Sequence, residues 1–298
     1  MTPGPPSFTV LLLCWNHSAF LEQCIGALAA QTDKAFTIAF LDNASTDGSF
    51  DLAGKSFERH GLDAKMLRNE QEQSIPHNLN RLLGESLGEL VAILSTDDWY
   101  APDYVAEMRD LARKRREAGW FSCGGWLFFD QEQTSRPVDE ASLSTEEPVV
   151  DAILAGREPF FFVGCAYLRS SLEAVGGWDE QQLIEDRDLF LRLSDRFDHA
   201  RTTKRLVHYR RHSMASANNA RFMIDGWERF FAKHQALFGD RLLDRRAETY
   251  RAYAALLTDQ RKFGLALRAI ARSLIIRPVN GLGWRTLAYV GRRIVARY

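Results

Sequence analysis

Two adjacent carboxylates, Asp97 and Asp98, follow directly on an apolar run, Leu90 to Leu94, that shows no polar alternation. Such a run is expected of a strand buried on both faces of a parallel sheet, and ligands collect at the carboxyl edge of such sheets. Side-by-side carboxylates repel unless a cation or donor lies between them. A hard divalent ion such as Mg²⁺ or Mn²⁺ would do this while gripping the phosphates of a nucleotide. The same pair ahead of Pro102 also suits a solvated helix start, so this stretch alone leaves both readings open. A second acidic cluster, Glu185, Asp186 and Asp188, crowds the first turn of a helix that continues through Leu189, Leu191 and Leu193. The helix dipole accounts for one or two of these acids, and the third calls for another reason. His208-Tyr209-Arg210-Arg211-His212-Ser213 then reads either as a solvated basic turn or as a clamp on phosphate and metal.

The elements that must position these groups alternate strand and helix. Phe8 to Cys14 is an apolar strand, Ala19 to Gln31 a helix, and Phe36 to Leu41 a second strand. That strand ends in Asp42-Asn43-Ala44-Ser45-Thr46-Asp47-Gly48-Ser49, a turn of residues that bond their own backbone, with Ser49 as the cap of a helix to about Arg59. Asp42 is placed to accept from the N3–H of a pyrimidine, or only to shape the turn. Ala64 to Leu67, Ile75 to Leu87 and Leu90 to Leu94 read as strand, helix and strand. Helices of this length between strands imply right-handed crossovers and a mostly parallel sheet. Its strand ends carry Cys14-Trp15-Asn16, Asp42-Asn43, Asn69 and Asp97-Asp98. Pro102 to Ala118 follows as a helix, Trp120 to Phe129 as a strand, and the polar segment Asp130 to Glu147 as a mobile loop or an insertion. No G-x-G-x-x-G follows the first strand and no G-x-x-x-x-G-K-S/T occurs. A nucleotide would be held by acidic and amide side chains, with its phosphates on a metal.

At 298 residues, 46% hydrophobic and 26% charged, the chain has the composition of an ordinary globular protein, with room for one large domain and an appendage. Its net charge of -1 conceals an asymmetry: residues 241–298 hold 13 Lys/Arg against 3 Asp/Glu. The acidic remainder is a poor candidate for nucleic acid. The four cysteines show no C-x-x-C spacing, which points to reduced thiols in the cytoplasm. The opening M-T-P-G-P-P-S has no basic residues ahead of its apolar run and does not read as a secretory signal. No apolar stretch reaches membrane-span length.

In order, L-D-N-A-S-T-D-G-S, the acidic pair after a buried strand, G-G-W-D-E, E-D-R-D-L-F-L-R-L and Y-R-R-H-S-M-A-S together resemble the family 2 glycosyltransferases of GT-A fold, over roughly residues 7–216. The resemblance implies an α/β GT-A catalytic domain over residues 1–218. Its nucleotide-sugar half spans about 7–100, its acceptor half 101–218, and a helical region 219–298 follows. It implies Asp42 on a uracil-type base, with Cys14 and Asn16 lining the same end. Asn69 and Asn78 fall on the family's donor-loop asparagines, although Gln71 replaces a glycine and Pro76-His77 replace Ala-Arg. Asp97 matches the last acid of the D-x-D element and Asp98 is its neighbour. Ser95 stands where the first acid is expected, able to touch the ribose but weak as a metal ligand. His212 matches the late histidine at the metal or phosphates, with Arg210 and Arg211 beside it.

The resemblance also implies a nucleotide-diphosphate sugar donor, Mn²⁺ or Mg²⁺, and inversion by a base in the E-D-x-D element. Asp186 is that base, Glu185 and Asp188 orient it or bind acceptor, and Trp178 and Asp179 line the acceptor side. Against this, Trp178 reads equally as core and Asp188 as the partner of Arg192. The acceptor class is a glycan, lipid-linked glycan or protein. A non-catalytic sugar- or nucleotide-binding module on the same fold is the alternative to an enzyme. From about Phe222 the pattern suggests two or three packed helices. Trp284 to Tyr298 sets Leu287, Val290, Ile294 and Val295 against Arg285, Arg292, Arg293 and Arg297, either a helix lying on an anionic membrane or a packed helix with solvated arginines.

Overall fold

The computed structural model describes residues 4–139, 147–212 and 219–296. The chain divides into two compact units, one of residues 1–150, 158–180 and 185–212, the other of 151–157, 181–184 and 213–298.

The first unit begins with β1 (Phe8–Cys14), α1 (Leu21–Ala29), β2 (Phe36–Asp42), α2 (Ser49–His60), β3 (Ala64–Arg68), α3 (Ile75–Gly84) and β4 (Leu90–Ser95). These four strands pair in parallel, in the order β3-β2-β1-β4. Val10, Leu11 and Leu12 of β1 and Leu90, Val91 and Ala92 of β4 are fully buried, which is why neither run alternates. Helix α3 stops at Gly84, short of Leu87. The short β5 (Trp99–Tyr100) follows, then α4 (Tyr104–Lys114) and β6 (Ala118–Phe129). The expected loop from Asp130 is in part strand: β7 (Thr134–Pro137) turns back along β6, and residues 140–146 lie outside the described residues. After α5 (Val149–Ala155) come β8 (Ala166–Leu168), α6 (Arg169–Ala174), α7 (Glu185–Ser194) and β9 (Asp198–Arg211). The sheet continues β4-β8-β6-β9-β5. Strand β8 is antiparallel to its neighbours, whereas β6 and β9 form a long parallel ladder, so most of the pairing is parallel. The basic stretch His208 to Arg211 is thus the end of a strand rather than a turn. Its continuation, Ser213 to Ser216, lies outside the described residues.

The G-G-W segment is locked from two sides. Gly177 has φ +68° and approaches the Asn80 side chain so closely that a Cβ would fall 2.6 Å from Oδ1. That approach lets Asn80 accept from the Trp178 N–H at 2.9 Å and donate to the Trp178 carbonyl at 2.8 Å. On the other side Arg192 donates to the carbonyls of Val175 and Gly177, both at 2.7 Å. Asp188, fully buried one turn earlier on α7, holds that guanidinium at 2.8 Å.

The second unit holds α8 (Ala220–Lys233), α9 (Gln235–Phe238), α10 (Leu242–Asp259), α11 (Phe263–Ile276) and α12 (Gly281–Val295). Ala254, Leu257, Ala266, Ile270 and Val290 form its core, with Leu287 and Ile294 packed against them. The apolar stripe of α12 is therefore spent on this core and is not a free membrane face, while Val295 stays exposed. Among the described residues no helix is long and apolar enough to cross a membrane.

Removing one member of a buried ion pair strands the other, so Asp188→Ala should destabilise the protein by about 3–5 kcal/mol. Asp186→Ala, two residues away on the open side of the helix, should stay within about 1 kcal/mol. Thermal and urea unfolding of both variants check this, and equal shifts would contradict the assignment of Asp188 to the scaffold.

Candidate active site

The carboxyl ends of β1, β2 and β4 stand side by side, with Cys14 opposite Asp42 and Leu13 opposite Ser95. Adjacent strands are about 4.8 Å apart, so Asp42 and Ser95 are separated by roughly 10 Å across the sheet edge. Asp42 is fully buried; its Oδ1 accepts from the Ser45 N–H at 3.0 Å and lies 3.5 Å from Arg68 Nε. Its Oδ2 is buried with no hydrogen-bond partner. Asn16, held at φ 54°, ties the first loop to the second by accepting from the Thr46 N–H at 2.9 Å. Cys14 does not line this edge with its thiol. The side chain is fully buried, burial raises its pKa, and its carbonyl accepts the Asn43 N–H.

Asn69 and Asn78 are joined to Asn43 in a network of buried amides. Asn69 Nδ2 donates to Asn43 Oδ1 and Asn78 Oδ1, both at 2.7 Å, and Asn43 Oδ1 accepts from the Gln73 N–H. Both are buried, and their amides shape the loop after β3, with Asn69 Oδ1 also accepting from Arg81. Beside this loop lies a cavity of about 480 Å³ whose lining includes Arg68, Asn69, Gln73, His77 and Arg81.

At the end of β4 the two acids part company. Asp98 is buried and accepts the Arg210 N–H at 2.8 Å; burial, then the neighbouring Asp97, push its pKa well up. Buried and accepting from the Arg210 main chain, Asp98 sits as part of the scaffold rather than at the open position that its place in the sequence suggested for a metal ligand. Burial would raise Asp97 too, but the hydrogen bond from His212, the charge of His17 and the Ser95 hydroxyl outweigh it and hold its pKa below the usual range. Asp97 Oδ2 lies 3.0 Å from His212 Nε2 and 3.8 Å from His17 Nε2, and Oδ1 is buried without a partner.

His17 is the residue that sequence reasoning missed. Its N–H donates to Ser49 Oγ and its Nδ1 lies 2.9 Å from Thr96 Oγ1. The Thr96 hydroxyl donates to the Leu13 carbonyl, which leaves its oxygen to accept from Nδ1–H and assigns the lone pair to Nε2. Burial lowers the His17 pKa despite Asp97. An imidazole nitrogen 3.8 Å from a carboxylate oxygen is an arrangement that a cation would satisfy. The available signal was a histidine three residues past a buried strand.

Arg210 is not a free phosphate clamp. It is buried, donating to the Asp97 carbonyl at 2.9 Å and to Asp130 and Gln23, with its guanidinium over Phe20, Trp99 and Phe128. Arg211, one residue on, is exposed and lies over the Tyr209 ring.

Among the residues expected on the acceptor side, Trp178 is core, edge-on to Tyr167, and Asp188 is committed to Arg192. Asp179, Glu185 and Asp186 are only partly buried. Asp186 accepts the Arg187 N–H at 2.7 Å. Glu185 is pushed up to about 8, by burial first and then by Asp186. Tyr209 of β9 has its phenol raised by burial and then by Asp98, Asp97 and Asp186, which puts both acidic clusters within electrostatic reach of one side chain.

Among the described residues no group of three or more His, Cys, Asp or Glu side chains is arranged to hold a metal by itself. The partnerless Asp97 Oδ1 with His212 beside it suits an ion whose shell is completed by phosphate oxygens.

Residues 9–176 match the family described as Glycosyl transferase family 2. The putative glycosyltransferase EpsH of Bacillus subtilis is 24% identical over 172 residues, 57% of this chain and 49% of that one, so the chain spans about half of that relative. The putative glycosyltransferase EpsE of the same organism is 26% identical over 194 residues, 63% of this chain and 66% of that one. Among solved structures, the mannosyltransferase PcManGT from Pyrobaculum calidifontis, in complex with GDP-Man and Mn2+, aligns with a TM-score of 0.61 at 17% identity, over 99% of this chain and 81% of that chain. TarS 1-349 of S. aureus in complex with UDP-GlcNAc aligns with a TM-score of 0.59 at 12% identity, over 91% and 89%. The family match covers more than half of the chain and the solved neighbours share its fold; the chain belongs to glycosyl transferase family 2.

Proposed function

We propose that this chain moves a sugar from a nucleotide-diphosphate sugar, UDP-linked, to a hydroxyl of a glycan, lipid-linked glycan or protein. The work is the building of a cell-surface polysaccharide or glycoconjugate at the cytoplasmic face of the membrane. The observation that carries the reading is a pair of buried carboxylate oxygens without partners, Asp42 Oδ2 and Asp97 Oδ1, two strands apart on one sheet edge. A buried acceptor with no donor is costly in the free protein, so each marks a place where a ligand supplies what is lacking. At Asp42 the missing group is an N–H, which a pyrimidine base presents. At Asp97 it is a cation.

Bound at Asp97 and His212, Mn²⁺ or Mg²⁺ would supply positive charge to the leaving diphosphate. The chain's own residues do the rest. Asn16 and the buried amides around Asn69 fix the loops that receive the nucleoside, Ser95 stands toward the ribose, and exposed Arg211 is the cation free to meet phosphate. Asp186 takes the proton from the acceptor hydroxyl as it attacks the face of the sugar opposite the diphosphate, which gives inversion. Glu185, protonated beside it, orients the acceptor, and Asp179 extends that surface.

Asp97→Asn should remove most metal-dependent donor affinity, read by calorimetry with UDP-sugars with and without EDTA. Donor affinity indifferent to both changes would refute the cation reading. Asp186→Asn should slow transfer by roughly a hundredfold or more while leaving donor affinity intact. Near-normal transfer by this variant would remove Asp186 from the base role.

Glu185 adds a pH signature. A carboxyl raised from 4.5 to about 8 in the folded chain favours folding fully below the lower value, and that contribution is lost as pH rises through the upper one. Melting temperature should therefore fall across this window in the wild type and flatten in Glu185→Gln. Parallel profiles would show that Glu185 is not buried against Asp186 in solution.

A further inference from the structure

We propose that the turn joining α11 and α12 seats on an anionic lipid surface, with a lipid phosphate among Arg251, Arg277 and Arg285 and with Val279, Leu282 and Trp284 entering the acyl boundary. The inference deepens the membrane-face part of the proposed function and moves it to a different surface from the one the sequence pattern offered. The apolar stripe of α12 is inside the helical core, yet the turn leaves large apolar groups in water. Val279 is 102% exposed, Ile275 70%, Trp284 55% and Leu282 52%. Four such groups within ten residues are more than scattered surface apolarity accounts for.

Directly against them lies a cavity of about 440 Å³ lined by Val279, Leu282, Arg251, Arg277 and Arg285, together with Asp244 and Glu248. Arg277 pairs with Asp244 and Arg251 with Glu248. Arg251 Nε is buried with no hydrogen-bond partner, and Arg285 has no ion pair among the described residues, so the cavity retains cationic excess. The first turn of α12 opens onto the same cavity at Gly281 and Leu282, where N–H groups lack intrahelical acceptors. Asn280 caps the third residue, accepting from Gly283 at 3.0 Å.

The wider charge selects the partner. Residues 260–298 contain nine Lys/Arg and no Asp/Glu. A second copy of this turn would meet like charge, and an ordinary apolar groove on another protein would leave the arginines unpaired. An anionic bilayer satisfies both parts, because arginines and a tryptophan sit at its headgroup level while short apolar chains enter beneath. Trp284 is set for this, with its indole N–H donating to the Pro278 carbonyl at 3.0 Å while the ring remains exposed.

The test uses the full chain and sedimentation with vesicles of phosphatidylcholine alone or mixed with phosphatidylglycerol, without donor or acceptor. Binding should require phosphatidylglycerol and weaken as salt rises above about 0.1 M. Val279→Asp with Leu282→Asp, and separately Arg285→Glu, should each lower partitioning by roughly tenfold or more, with melting temperatures unchanged because these side chains are exposed. Absence of binding to anionic vesicles overturns the proposal, as does binding that both sets of substitutions leave intact. A melting shift with inorganic phosphate equal to that with vesicles assigns the cavity to a free anion and also overturns it. Concentration-dependent dimerisation abolished by Val279→Asp with Leu282→Asp would give the turn to a second copy, with the same consequence. Failure here leaves the transfer reading standing, since that is measured by donor affinity and turnover.

Discussion

The buried guanidinium of Arg210 is the interaction on which the first unit depends. From the end of β9 it reaches the Asp97 carbonyl, Asp130 beyond β6 and Gln23 on α1, and three aromatic rings enclose it. Its own N–H meets Asp98. A buried cation of this kind is tolerable only when its donors are satisfied, and here satisfying them draws four separate segments to the carboxyl end of β4. The position of Asp97 follows from that. Asp98 is turned inward, and the surroundings shift the two adjacent carboxyls in opposite directions, Asp97 down and Asp98 up.

The acidic cluster of α7 is divided in the same way between an inward anchor and an open side. Helix α7 winds 100° per residue, so acids adjacent in sequence face different ways. Asp188 points inward and, through Arg192, fixes the carbonyls of the G-G-W segment. Glu185 and Asp186 are left toward the open side, and their mutual repulsion together with burial is what raises Glu185. One cluster that reads as three equivalent carboxylates is one structural anchor and one coupled pair.

In the second unit apolar and basic residues are sorted by the helix packing. The core takes Leu287, Val290 and Ile294 from α12, and the arginines stay outside. What the core cannot cover is the connection itself, where the chain reverses between two helices and its side chains have no neighbour on one side. Exposure of Val279 and Trp284 is thus a consequence of topology, not of the helical pattern.

The sequence by itself determined the parallel architecture of the first unit and the sheet edge along which its polar residues gather. Unbroken apolar strands separated by helices demand a doubly covered parallel sheet, and polar residues just past those strands must lie along one edge, so Asp42 and Asp97 could be placed without coordinates. The long β9 and the short β5 and β7 escaped notice because their mixed charged and apolar residues carry no clear period. Only the tertiary structure decided which way each side chain of a polar cluster faces. Alternation along β9 sends Arg210 inward and Arg211 out. Asn69 and Asn78 find each other across a loop, Trp178 meets Tyr167, and His17 comes beside Asp97 across eighty residues of chain. Burial and partner selection are long-range properties, fixed by which segments the sheet brings together, and local spacing holds no record of them.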